Sequence, residues 1–290
     1  MFWYKFFYGF CWLLALLPLR CLYLISDFFF VLLYYIVRYR RKVVTKNLRN
    51  SFPEKTEKER QQIARKFYRF LCDMFIETIK LIHIDTPQMR RRIHYINTEL
   101  FEEFYRKGKQ LFVAAGHYGN WEWVTTLPGS ISYHHATLYQ PLENKVFDKF
   151  YYNLRTKSGG DLIPSNEAIR AIVKYHQEKR LTLLGFISDQ SPPRNAIHYW
   201  TTFLNQETPI HLGIEKLAKR YNAAVFYYEI RRIKRGYYEV EPTLICENAA
   251  ETADMEITNK HVQLLEQTIR RDPPYWLWSH RRWKHKRIKN

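Results

Sequence analysis

The 290-residue sequence predicts an α/β fold, a mainly parallel sheet flanked by helices, behind an N-terminal membrane-anchoring helical segment. Three observations carry that expectation. The first 37 residues are almost wholly apolar, a basic cluster follows them directly, and from Ile93 onward short apolar runs alternate with segments of helical period. Composition excludes a disordered chain: 46% of residues are hydrophobic and 17% aromatic, despite a net charge of +18. The four cysteines (Cys11, Cys21, Cys72 and Cys246) are far apart, which speaks against a disulfide scaffold or a cysteine-rich zinc site.

Of the first 37 residues only Lys5, Gly9, Pro18, Arg20, Ser26 and Asp27 fall outside the apolar set. The uncharged run 6–19 has 14 residues, and 21–37 has 17 with Asp27 inside it. A spanning helix takes about 20, so neither piece spans with ease. Pro18 and Arg20 separate them, which predicts a kinked helical pair embedded in a membrane or lying in its interface. No small-residue cleavage site follows, so a signal peptide fits badly. Arg38, Arg40, Arg41, Lys42, Lys46 and Arg49 come next, with no acidic residue among them. Such a cluster stays cytoplasmic and meets anionic head groups, at about 1 kcal/mol per charge close to the surface. The expected division is therefore an anchor with a basic juxtamembrane end over residues 1–42, and one α/β domain over 43–290.

Along that domain, Ser51-Phe-Pro-Glu has the form of a helix start, with Ser51 as cap and Pro53 in the first turn. Residues 54–83 carry helical period, placing Ile63, Phe67, Phe70, Leu71, Met74, Phe75, Thr78 and Ile79 on one side. A buried strand is expected at 111–115, another at 136–139, and helices at 143–157 and 165–179, the second capped by Ser165. The clearest buried strand is 181–188. A helix at 209–221, a strand at 223–230 with a hairpin partner at 237–241, and a closing helix at 255–271 complete the series.

In a parallel sheet, ligands gather where strands end, so the turns leaving the strands are the first candidates for a site. Strand 111–115 leaves through Gly116-His117-Tyr118-Gly119-Asn120-Trp121-Glu122. Two glycines give the histidine a turn of little bulk. With His117 in the turn and Glu122 beyond it, the loop can bring imidazole and carboxylate together. A carboxylate so placed fixes the tautomer and stabilises the imidazolium. No serine or cysteine nucleophile adjoins them, so the pair would activate a hydroxyl that the substrate brings.

The His, four residues, then Glu pattern resembles the first motif of the lysophospholipid/glycerolipid acyltransferases. Tyr139-Gln140-Pro141 followed by Phe150 and Leu154-Arg155 resembles their second block. Ile187-Ser188-Asp189-Gln190, Phe203, and Thr208-Pro209 with Gly213 resemble the third and fourth. The ending Pro274-Tyr-Trp-Leu-Trp-Ser-His-Arg-Arg-Trp283 is similar to the carboxyl end of the lipid A biosynthesis lauroyl/myristoyl acyltransferases, a branch that also begins with a membrane anchor. One departure is Phe203-Leu204-Asn205, where the family commonly has two aromatics and a glycine; it bears on the shape of the acyl or acceptor pocket.

The resemblance implies a glycerolipid-acyltransferase-like fold. It also implies transfer of a fatty acyl group from an acyl carrier protein or acyl-coenzyme A thioester to a hydroxyl of a lipid A precursor. Another hydroxylated glycolipid or aminolipid is the alternative acceptor. The implied location is the inner membrane, with the catalytic domain on the cytoplasmic face and membrane lipids around the anchor. His117 and Glu122 become the candidate catalytic residues, and Gly119, Asn120, Arg155, Asp189 and Gln190 the candidate substrate-binding ones. The Trp276, Trp278 and Trp283 cluster reads as a packed carboxyl-terminal cover, with Arg281 and Arg282 near phosphates. No cofactor is expected. Nor is a metal, since His280 and His285 lie in a basic tail without an acidic or cysteine ligand.

Two other classes fit less well. Nucleic-acid binding would suit the charge, but the basic runs at 90–92, 231–235 and 281–289 are separate and no base-reading motif appears. A lipid hydrolase usually supplies its own nucleophile, and the chain has no Gly-x-Ser-x-Gly elbow. A phosphorylated acceptor, an anionic membrane and an acidic carrier account for the positive charge more simply.

Overall fold

The computed structural model describes residues 2–127 and 131–287, so the end of the basic run 281–289 lies outside the described residues. The apolar start folds as α1 (Phe2–Leu16) and α2 (Leu19–Val31), the latter continued to Ile36 by a π-helical turn. Pro18 is the N-cap of α2, where its missing N–H costs nothing, so the break falls at the residue that imposes it. Leu19–Ile36 is one 18-residue helical stretch with a mean hydropathy of 1.7, long and apolar enough to cross a membrane. Trp3, Phe6, Leu13, Leu24, Phe28 and Ile36 all stand exposed on this segment, an apolar surface of the kind that marks a lipid or protein contact.

The apolar start is not a detached element. Leu19, Leu22, Phe30 and Tyr34 are buried, and the Ser26 hydroxyl donates to Asp73 at 2.7 Å. Arg235 bridges Asp27 on α2 to Asp73, so contacts cross the boundary expected at residue 42.

Arg38 and Arg40 take left-handed backbone and turn the chain into α3 (Arg41–Ser51). Ser51 ends that helix instead of starting the next. The start lies at Thr56, whose hydroxyl accepts from the Glu59 N–H while Glu59 accepts from the Thr56 N–H, a reciprocal cap, and Ser51 is already held in the last turn of α3. In α4 (Glu57–Lys80) Phe67, Phe70, Leu71, Met74 and Thr78 are buried as the period requires, while Phe75 turns outward.

The domain continues through α5 (Thr86–Arg90), β1 (Ile93–Tyr95), α6 (Glu99–Arg106), β2 (Leu111–Ala115), β3 (His134–Tyr139), α7 (Lys145–Thr156), β4 (Asp161–Pro164), α8 (Ala168–Gln177) and β5 (Thr182–Ile187). It then runs through β6 (Trp200–Phe203), β7 (Gln206–Pro209), α9 (Gly213–Tyr221), β8 (Ala224–Lys234), β9 (Tyr237–Cys246) and α10 (Glu256–Arg271). Seven strands form one sheet in the order β1-β9-β8-β2-β5-β3-β4, parallel except for the β8–β9 hairpin. Strand β2 is buried along its whole length. Leu111 and Val113 meet Phe101, Phe104 and Phe226 on one face, and Phe112 and Ala114 meet Ile172, Leu184 and Ile214 on the other. Cover on both faces is what makes a parallel strand read as a continuous apolar run.

Two expected elements start later than their sequence suggests. Ser165 opens a 3-10 turn ahead of α8, and its hydroxyl donates to Gln140 instead of capping the helix. The helix expected at 209–221 begins at Gly213, because Gln206–Pro209 is taken up as β7 against β6. The turn of that hairpin is Leu204-Asn205, both at positive φ, the conformation two-residue hairpins require.

The register of β2 against β5 positions the site. Ala115 lies opposite Ile187, so His117 and Asp189, each two residues further on, leave neighbouring parallel strands at the same level.

Candidate active site

The turn after β2 needs its glycines for reasons of space. A Cβ on Gly116 would lie 2.6 Å from Leu265, and one on Gly119 would lie 2.7 Å from the Ile230 carbonyl oxygen. Gly119 also has φ +60°, where a side chain is strained. The carboxyl-terminal segment clamps this turn. The Gly119 N–H donates to the Tyr275 carbonyl at 3.0 Å, and the Leu277 N–H donates to the His117 carbonyl at 3.1 Å.

In this turn the His117 side chain is 19% exposed, against 3% for Asp189. Its Nδ1 donates to Asp189 Oδ1 at 2.5 Å. The His117 backbone N–H donates to Asp189 Oδ2 at 3.0 Å, and the Trp276 indole N–H donates to the same oxygen at 2.7 Å. Burial alone would raise the Asp189 carboxyl, but the His117 charge and these hydrogen bonds outweigh it and hold the group well below the usual carboxylate range. When the ring is neutral, with Nδ1–H committed to Asp189, Nε2 carries the lone pair and faces the Gln190 amide nitrogen at 3.1 Å. The arrangement is an oriented imidazole with Nε2 facing Gln190 and an ionised carboxylate behind Nδ1.

Glu122 is placed elsewhere. Its two oxygens are bound by Arg155, Nε at 2.8 Å and Nη2 at 2.6 Å, and Oε1 also accepts from the Trp121 indole N–H at 3.1 Å. The Trp121 ring meets the imidazole edge-on, with centroids 5.1 Å apart, so an indole touches both groups while the carboxylate on the imidazole is Asp189. The local reason is that the chain after Asn120 tightens into a 3-10 turn, Trp123–Thr126, which aims Glu122 at α7. The Glu122 charge and its hydrogen bonds overcome the burial that would lower Arg155 and leave that guanidinium raised.

The remaining candidates divide by what they touch. Gln190 is beside the imidazole, and Gly119 shapes the turn. Asn120 is fully buried; its Oδ1 accepts the Trp123 N–H and its Nδ2 donates to Glu77, so its polar atoms face the interior. Trp276 and Trp278 are buried, and Trp283 stacks on Phe203. Arg282 is buried too, donating to the Pro209 carbonyl at 2.7 Å, and burial pushes its guanidinium down to about 10.

Two contributors escape a sequence reading. Trp276 supports the Asp189 carboxylate across 87 residues, and His280 accepts the Ser191 N–H with its Nε2 at 3.2 Å. Only the position of both in one aromatic-basic block hints at a shared surface. Among the described residues no cluster of three His, Cys, Asp or Glu side chains is placed to hold a metal ion. A cavity of about 300 Å³ opens between α5 and α7, lined by Leu81, Ile84, Met89, Leu154 and Lys157 among others, and it does not include His117.

The family described as bacterial lipid A biosynthesis acyltransferase covers residues 1–285, the apolar start included. None of the curated proteins compared matches the chain.

Proposed function

The chain belongs to the bacterial lipid A biosynthesis acyltransferase family, and from that premise we propose that His117 is the general base of the acyl transfer, with Asp189 as its supporting carboxylate. The acceptor is a hydroxyl of a lipid A precursor, and the donor is the thioester of an acyl carrier protein or of coenzyme A. The hydroxyl hydrogen-bonds to Nε2, in the place the Gln190 amide occupies, and gives up its proton as its oxygen attacks the thioester carbonyl. The new C–O bond forms, the C–S bond breaks, and the imidazolium returns the proton to the departing thiolate. Asp189 opposes the positive charge on the ring throughout. Attack is direct, with no acyl group parked on the protein.

The observation that supports this reading most is the 2.5 Å contact between Nδ1 and Asp189 on a partly exposed imidazole at paired strand ends. Glu122 serves a different purpose: it holds Arg155 and so fixes α7 against the turn. We assign the exposed apolar face of α1 and α2 to the bilayer, on the cytoplasmic side of the inner membrane, where acceptor and carrier can both reach His117. Incubating the purified protein with each donor and with lipid A precursor tests the assignment. The expected product is the acceptor heavier by one acyl group; release of free fatty acid alone, with the acceptor mass unchanged, contradicts it.

A further inference from the structure

Glu77 lies in the middle of α4 and is fully buried, yet no cation among the described residues is within ion-pairing distance of it. Three side-chain donors surround its carboxylate. Asn120 Nδ2 donates to Oε2 at 2.7 Å, the Tyr238 hydroxyl of β9 donates to the same oxygen at 2.7 Å, and the Tyr23 hydroxyl of α2 donates to Oε1 at 2.8 Å. The Glu77 carbonyl accepts the Trp123 indole N–H at 3.0 Å. The nearby Arg232 is engaged with Asp73 at 2.8 Å. An apolar side chain would pack in such a core without the desolvation that a carboxylate suffers. What a carboxylate adds is a fixed set of hydrogen bonds, and here they end on three elements: the apolar N-terminal helix, strand β9 inside the sheet, and the turn that carries His117.

We propose that Glu77 is a positioning residue for the acyl transfer, holding the 117–123 turn through Asn120 and tying it to α2 through Tyr23. Asn120 is three residues past His117, and its Oδ1 fixes the Trp123 N–H on the other side. Releasing its Nδ2 frees the turn between the Gly119 clamp and the 3-10 segment. A displacement of about 1 Å at a catalytic group can lower the rate roughly 100-fold. The α2 helix and the active-site turn are thus one hydrogen-bonded unit, and disturbing the Tyr23 hydroxyl reaches His117 through two contacts.

This inference rests on His117 being the base, so His117→Ala is measured alongside. Full-length protein in one detergent is assayed as wild type, Glu77→Gln, Tyr238→Phe, Tyr23→Phe, and Glu77→Gln combined with Asn120→Asp. The last pair restores a carboxylate–amide contact with its polarity reversed. For Glu77→Gln, kcat per folded molecule should fall at least about tenfold with both KM values within about threefold, and the added Asn120→Asp should recover most of that loss. Tyr238→Phe and Tyr23→Phe should show the same split at smaller size, and they carry the test if Glu77→Gln does not fold. Wild-type kcat per folded molecule in these variants, with only the melting temperature lowered, overturns the proposal while His117→Ala stays inactive. An active His117→Ala overturns the underlying reading instead.

Discussion

In the proposed mechanism the Asp189 charge matters twice: it orients the imidazole through Nδ1 and it stabilises the ring once a proton arrives at Nε2. Asp189→Asn removes both effects with little change of shape, and it should lower kcat per folded molecule by about 10² to 10⁴-fold. Glu122→Gln should behave differently. It leaves the half-buried Arg155 without its two-point partner, a loss on the order of 3 kcal/mol, so stability falls more than the turnover of the surviving folded enzyme. Measuring both variants by melting temperature and by kcat separates the two roles; equal kcat losses would return Glu122 to the base. The sequence shows both His117 and Asp189 as strand exits, because apolar runs ending in Gly or Ser-Asp are local signals. It does not show that they meet, since that depends on Ala115 lying opposite Ile187 across 72 residues. Glu122 is near His117 in the chain, and its carboxylate is bound by Arg155 instead.

At the scale of elements, the buried strands and long helices are legible in the sequence to within a few residues, since their apolar period is strong. The exceptions are starts and edges. The Thr56–Glu59 cap and the β6–β7 hairpin are written in side-chain reciprocity and in positive φ at Leu204 and Asn205, which composition does not reveal. Thr56→Ala should cost about 1 kcal/mol, read as a melting temperature lower by roughly 2–4 °C. The apolar N-terminal segment is the clearest case of tertiary context: its apolarity is plain, but Ser26, Asp27 and Tyr23 find partners on α4 and in the β8–β9 turn that no local pattern names. A chain truncated before Arg41 exposes Leu22 and Phe30 contacts and strips Asp73 and Glu77 of donors. It should therefore melt lower and less cooperatively than the full-length protein in detergent; an unchanged transition would mean that α1 and α2 are separable.

Over the whole molecule, buried neutral histidines set the response to acid. Burial pushes His135, His261 and His280 each down to about 4. In the unfolded chain each binds a proton near pH 6.5, so their contribution to stability is complete above about 6.5 and is lost as pH falls toward 4. For His135 and His261 the loss is on the order of 3 kcal/mol apiece. Melting temperature should drop steadily across that interval, and His261→Leu should flatten the curve by one proton's worth. Asp189, held low, stays ionised over the same range and loses its contribution only below about pH 4. The measurement that bears most directly on the account is turnover of purified, folded His117→Ala with an acyl thioester and lipid A precursor. A fall of at least about 100-fold at near-normal donor binding and melting temperature is the expected result. Transfer close to the wild-type rate by that folded variant would contradict it.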